Sequence, residues 1–118
     1  MFTGMIIKES LSDLSILNDL KIVKEETWHI ENAAKDQPSV WHVATIEVGP
    51  DKIDEVSQKL SSILLQGKWY IDFTDGKRIV LVFRGKVFLY EKSDAETRNQ
   101  ALDFARNIGI PESQLDWE

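Results

Sequence analysis

The sequence predicts an α+β domain built on an antiparallel sheet, and three patterns predict it. Short stretches rich in β-branched and aromatic residues recur between turn signals, and two other segments carry apolar residues at helical spacing. The strand-like stretches also stand in groups of two and three, with helices between the groups, rather than alternating with helices as in a parallel sheet.

In chain order, Leu11, Leu14, Leu17 and Leu20 recur every third residue after Ser10, a possible cap, and suit a short helix or helical turn. Lys21 to Glu31, with Ile22, Val23, Thr27, Trp28 and Ile30, reads as a strand, as does Val40 to Val48. The intervening Ala33 to Pro38 has the composition of a hairpin loop. Gly49-Pro50-Asp51 breaks the second strand. Ile53, Val56, Leu60, Ile63 and Leu64 then form a helical stripe that Gly67 ends, with Asp51, Asp54 and Glu55 near its positive end.

A three-strand meander follows: Lys68 to Phe73, Arg78 to Phe83 and Lys86 to Glu91. Asp75-Gly76 is a favoured two-residue turn, because glycine takes positive φ freely and aspartate tolerates it. Arg84-Gly85 is a weaker turn signal whose rival is a glycine bulge. Ser93 and Glu96 have capping-box spacing ahead of Ala101, Leu102, Ala105 and Ile108, and Gly109 and Pro111 end that helix. In the tail, Leu115 and Trp117 at strand-like spacing suit docking against the body or an exposed sheet edge.

The order of two strands, helix, three strands, helix predicts one antiparallel sheet of about five strands with both main helices on one face. This is a ferredoxin-like or related split βαβ sandwich. At 118 residues with 42% hydrophobic content, residues 1–118 form a single domain. The longest purely apolar run, Ile79 to Phe83, is far short of the roughly 20 residues of a membrane helix, and Lys8 and Glu9 follow the first apolar residues too soon for a secretory signal. The expected location is the cytoplasm. With no cysteine, disulfides, thiolate catalysis and cysteine metal sites are excluded together.

A formal charge of −6 disfavours non-specific attraction to nucleic acid. The charge is polarised, however, since residues 68–92 hold six Lys or Arg against three Asp or Glu. Two-residue turns would place Phe73 opposite Arg78, Ile71 opposite Val80 and Trp69 opposite Val82, with Val87 opposite Val82 and Leu89 opposite Val80. One meander face then carries Trp69, Ile71, Val80, Val82, Val87 and Leu89, a bed for both helices. The other carries Tyr70, Ile79, Leu81, Phe83, Phe88 and Tyr90, with lysines at the strand ends, and is too apolar to face water alone. Residues 1 to 20, a second subunit or a ligand must cover it, and a second subunit is the favoured cover.

Tyr70, Phe83, Lys86, Phe88 and Tyr90 are therefore the candidate binding residues, as a dimer interface or pocket. As an alternative, the same aromatic and lysine face would stack the bases of single-stranded nucleic acid. His29 and His42, each following a tryptophan, face one another if the hairpin loop runs from Ala33 to Pro38, and could then share a metal with Glu31. Asp72, inside an apolar strand, is the one carboxylate placed for acid–base work, although a pairing with Lys77 or a tyrosine hydroxyl explains it better.

No phosphate loop, nucleophile elbow or metalloprotease helix occurs, and no cofactor is expected. The leading expectation is a homodimeric interaction or ligand-sensing module with a protein or small-molecule partner and no membrane. A small enzyme or metal-binding protein using His29, His42 or Asp72 is the further alternative.

Overall fold

In a computed structural model, which describes residues 1–30, 38–65 and 69–110, one antiparallel sheet of six strands carries a helix on each face. The strands are β1 (Phe2–Ile7), β2 (Lys21–His29), β3 (Val40–Val48), β4 (Ile71–Thr74), β5 (Arg78–Phe83) and β6 (Lys86–Glu91). The helices are α1 (Ile53–Ile63) and α2 (Ala95–Asn107), and two 3-10 segments, Lys8–Ser10 and Leu14–Asp19, join β1 to β2. The sheet order is β2-β3-β1-β4-β5-β6. Because β3 and β4 both run antiparallel to β1 from opposite sides, they are parallel to each other, and α1 connects them across β1.

Six strands replace the expected five because Phe2–Ile7 is a central strand. Its burial alternates as a strand's should, with Phe2, Gly4 and Ile6 buried and Thr3 and Met5 exposed. Met5 and Ile7 make the strand's second face apolar as well, which hides that alternation in the sequence. Gly4 is a site of close approach: a Cβ built there would overlap the Asp72 carbonyl oxygen and lie 2.5 Å from Cδ1 of Phe73.

The two helices do not share a face. Ile53 and Leu60 of α1 pack with Phe2, Ile6, Ile46, Val48, Ile71, Phe73, Val80 and Val82 in one core. Ala101, Leu102 and Ala105 of α2 pack with Ile79, Leu81, Phe83 and Tyr90 in a second. The division of β4–β6 into two apolar faces agrees with the sequence pattern, except that Leu89 is 45% exposed. A sheet layer that is apolar on both sides needs a cover on each, and one helix apiece supplies it. Ser61 of α1 also ties the helix to the β5–β6 turn, once through its side chain and once through its backbone. Ser61 Oγ donates to the Phe83 carbonyl at 2.7 Å, and the Gly85 amide donates to the Ser61 carbonyl at 3.2 Å.

The β5–β6 register is as expected, with Val82 opposite Val87, Val80 opposite Leu89 and Gly85 at φ +78°. In β4–β5 the register is displaced by two residues, pairing Ile71 with Val82 and Phe73 with Val80. Asp75 is the cause, because it does not take positive φ and instead binds the turn through its side chain. Its carboxylate accepts from the amides of Arg78 (2.7 Å) and Lys77 (2.9 Å) and from the Arg78 guanidinium. Those amides, Arg78 first, hold its pKa down to about 2.

A carboxyl whose folded pKa is depressed contributes stability that is complete above its unfolded pKa and is lost as pH falls through the folded value. Here that window runs from about pH 4 to about pH 2. Asp75→Asn keeps an acceptor for the turn but loses the charge. Its urea midpoint is expected to fall at pH 7 and to vary less than wild type between pH 4 and pH 2. Parallel curves for the two proteins would rule out the linkage.

The α2 cap lies one residue beyond the expected Ser93: Asp94 accepts from the Thr97 amide and hydroxyl at 3.1 and 2.7 Å. The expected stop at Gly67 and the tail residues Leu115 and Trp117 lie outside the described residues. Among the described residues, no helix is long and apolar enough to cross a membrane.

Candidate functional site

Two recesses flank the β1–β2–β3 half of the sheet. The larger lies between the 3-10 segment Leu14–Asp19 and the first turns of α1, at the end of β3. The leucines three apart in residues 11 to 20 suit a 3-10 period, in which i and i+3 eclipse. Asp13 caps the second segment by accepting from the Ser15 amide at 2.9 Å. Leu17 is buried, so the segment is anchored to the α1 core, while Ile16 and Leu20 are half-buried beside it. Gly49 and Pro50 turn the chain out of β3. The Lys52 amide donates to the Gly49 carbonyl at 2.9 Å, and α1 starts beside the recess.

The result is a cleft of about 300 Å³ with apolar walls from Ile16, Leu20, Val48 and Val56. Its rim is charged. Glu47 pairs with Lys21 at 3.0 Å and Glu55 with Lys59 at 3.5 Å. Asp19 and Lys52, one acid and one base, also line it, and neither forms an ion pair among the described residues. Such a cleft is able to hold a small molecule by its apolar part and orient it by charge. The leucine periodicity and the α1 stripe mark some of these residues in the sequence, but nothing there marks their convergence, because they come from three separate segments.

The smaller recess, of about 250 Å³, is lined by Lys8, Glu25, Glu26, Thr27, His42 and Val43. His42 there engages Glu9 rather than His29. Its amide donates to Glu9 Oε1 at 2.6 Å, and its Nδ1 lies 2.6 Å from Glu9 Oε2. Burial raises the Glu9 pKa, but the His42 amide and ring together outweigh it and leave the carboxyl below its usual value. The pair fastens the first 3-10 segment to β3.

The expected His29–His42 pairing does not form. His29 stands opposite Val40 and His42 opposite Thr27, because the β2–β3 register is displaced by two residues. This pairing sets Trp28 against Trp41, whose ring lies 5.4 Å from that of Trp69 and whose Nε1 donates to the Pro38 carbonyl at 2.8 Å. Most of the expected loop, Ala33 to Gln37, and the third candidate ligand, Glu31, lie outside the described residues. Among the described residues no group of three His, Asp or Glu side chains is gathered as a metal site requires.

The aromatic candidates do come together, beneath α2. Phe83 and Tyr90 are buried, and Tyr70 and Phe88 are half-buried against them. The Phe104 ring of α2 lies 5.0 Å from Phe83 and 5.8 Å from Phe88. Lys86 is exposed with its ammonium 5.2 Å from the centre of the Phe88 ring. Asp72 sits opposite Leu81 and is exposed. No protein-family model, curated protein or solved structure matches this chain.

Proposed function

We propose that this chain is a small ligand-binding module whose working site is the cleft between Leu14–Asp19 and α1. The observation that carries this reading is the combination of an apolar wall with charges of both signs at a recess large enough for a small organic molecule. The aromatic face, the other candidate, has its rings packed under α2, so neither base stacking nor a subunit interface is needed to explain its composition.

The test is a thermal-shift screen of small amphiphilic molecules on wild type and on Val56→Trp, which fills the cleft from α1. A ligand at about a hundred times its Kd adds about 2.7 kcal/mol to wild type and is expected to add little to the variant. Equal shifts in both proteins, or none in wild type, would remove the reading.

The β2 strand favours a second reading, a homodimer. It is a nine-residue edge strand, exposed along most of its length, with Ile22 and Val23 bare at 37% and 48%. A bulge between Ile22 and Lys24 and the strand's charges guard it against indiscriminate pairing. A copy laid antiparallel about Glu25 sets Lys24 against the partner's Glu26, exchanging the 3.6 Å Lys24–Glu26 pair within one chain for the same pair across the axis. The two Glu25 carboxylates meet at the axis, each held by its own Lys8 at 2.6 Å. Light scattering is then expected to give a dimer for wild type, a monomer for Glu26→Lys and a dimer again for Lys24→Glu/Glu26→Lys. A monomeric wild type at every concentration would eliminate this reading.

A further inference from the structure

We infer that the cleft selects a small zwitterion with an apolar side chain, of the free amino acid class. The inference rests on the proposal that the cleft is the binding site and narrows it to a ligand chemistry.

The charges at the rim support that choice. Glu47 and Glu55 are already met by Lys21 and Lys59 at 3.0 and 3.5 Å, so their fields are largely cancelled. What remains is one carboxylate, Asp19, at the end of the 3-10 segment, and one ammonium, Lys52, at the start of α1. They stand on different elements, with the apolar wall of Leu20, Val48 and Val56 in the same recess. A ligand bearing a single charge answers one of these groups and leaves the other without a counter-charge. A zwitterion answers both, its ammonium at Asp19 and its carboxylate at Lys52, while a branched aliphatic side chain covers the wall. The volume of about 300 Å³ lies at the small end for organic-ligand sites, which suits a single amino acid rather than a nucleotide or long lipid.

The test titrates the full chain with L-leucine, 4-methylpentanoate and isopentylamine, which share an aliphatic end and differ in charge. Binding is read by calorimetry and by the methyl NMR signals of Leu20, Val48 and Val56. L-leucine is expected to bind at least about tenfold more tightly than either singly charged compound. Asp19→Asn is expected to reduce the preference over 4-methylpentanoate, and Lys52→Gln the preference over isopentylamine. Each variant should keep the wild-type melting temperature, since both side chains are exposed.

If a singly charged compound shifts the same methyls as tightly as L-leucine, the zwitterion assignment is wrong while the cleft stands as a binding site. If L-leucine binds with unchanged affinity in both variants, the charge assignment is wrong. If none of the three moves the cleft methyls at millimolar concentration, the zwitterion assignment falls. The wider screen against Val56→Trp then decides whether the cleft reading falls with it.

Discussion

Gly4→Ala is expected to cost about 1–3 kcal/mol by overpacking the seam between the two halves of the sheet. The added methyl would meet the backbone carbonyl of Asp72 and the ring of Phe73 at once, and a backbone oxygen in a neighbouring strand cannot turn aside as a flexible side chain does. The contact lies at the seam of the sheet. Among the described residues, β1 and β4 share two residue pairs, Thr3 with Thr74 and Gly4 with Phe73. Through them β2-β3-β1 is joined to β4-β5-β6. The Phe73 ring, fully buried, covers the gap left by the missing side chain. Urea unfolding checks this result, with Met5→Ala as the control. Met5 is 43% exposed on the opposite side of the same strand, and its truncation is expected to change stability by less than about 0.5 kcal/mol. If Gly4→Ala were as mild as the control, the seam would be wrongly described.

The second large effect belongs to the α2 core. Phe83 is fully buried, with the rings of Tyr70, Phe88 and Phe104 at 6.1, 5.9 and 5.0 Å. Phe83→Ala is expected to cost about 3–5 kcal/mol, a large share of the roughly 5–15 kcal/mol that holds a domain folded. Because the truncated ring bridges the sheet to α2, hydrogen exchange in Ala95–Asn107 should accelerate more than in Ile53–Ile63. Equal acceleration in both helices would contradict the description of two separately covered faces. Had this surface been an open binding platform, Phe83→Ala would have affected ligand affinity and left stability nearly unchanged.

The sequence exposed most of this architecture through local chemistry. The α1 stripe, the β5–β6 turn and the partition of β4–β6 into two faces all follow from spacing within one segment or between adjacent ones. What escaped depends on contacts between distant segments. The role of Gly4 is set by Phe73, and the β2–β3 register that puts Trp28 opposite Trp41 is set by no pattern local to either strand. Sheet side chains alternate with a period of two, so displacing a register by two residues preserves every face while changing every cross-strand partner. The face assignments therefore survived in β4–β5, whereas the His29–His42 pair dissolved in β2–β3. The aromatic face has a cover, as its composition requires, but the cover is α2 rather than residues 1 to 20, a second subunit or a ligand. That the cover is α2 depends on which way the chain turns after Glu91, which apolar periodicity does not encode. Asp19 likewise joins Lys52 and Val56 only when the 3-10 segment packs beside α1.

The central functional claim is that the cleft between Leu14–Asp19 and α1 is where this protein binds a small molecule. Methyl NMR of the wild-type chain during titration with L-leucine tests it most directly. The expected result is a saturable set of shifts confined to Ile16, Leu20, Val48 and Val56, with the methyls of Ile79, Leu81 and Leu102 beneath α2 unchanged. Saturable shifts centred on the α2 side would contradict it, whereas no shift at millimolar L-leucine would remove the zwitterion assignment and leave the cleft to the Val56→Trp screen.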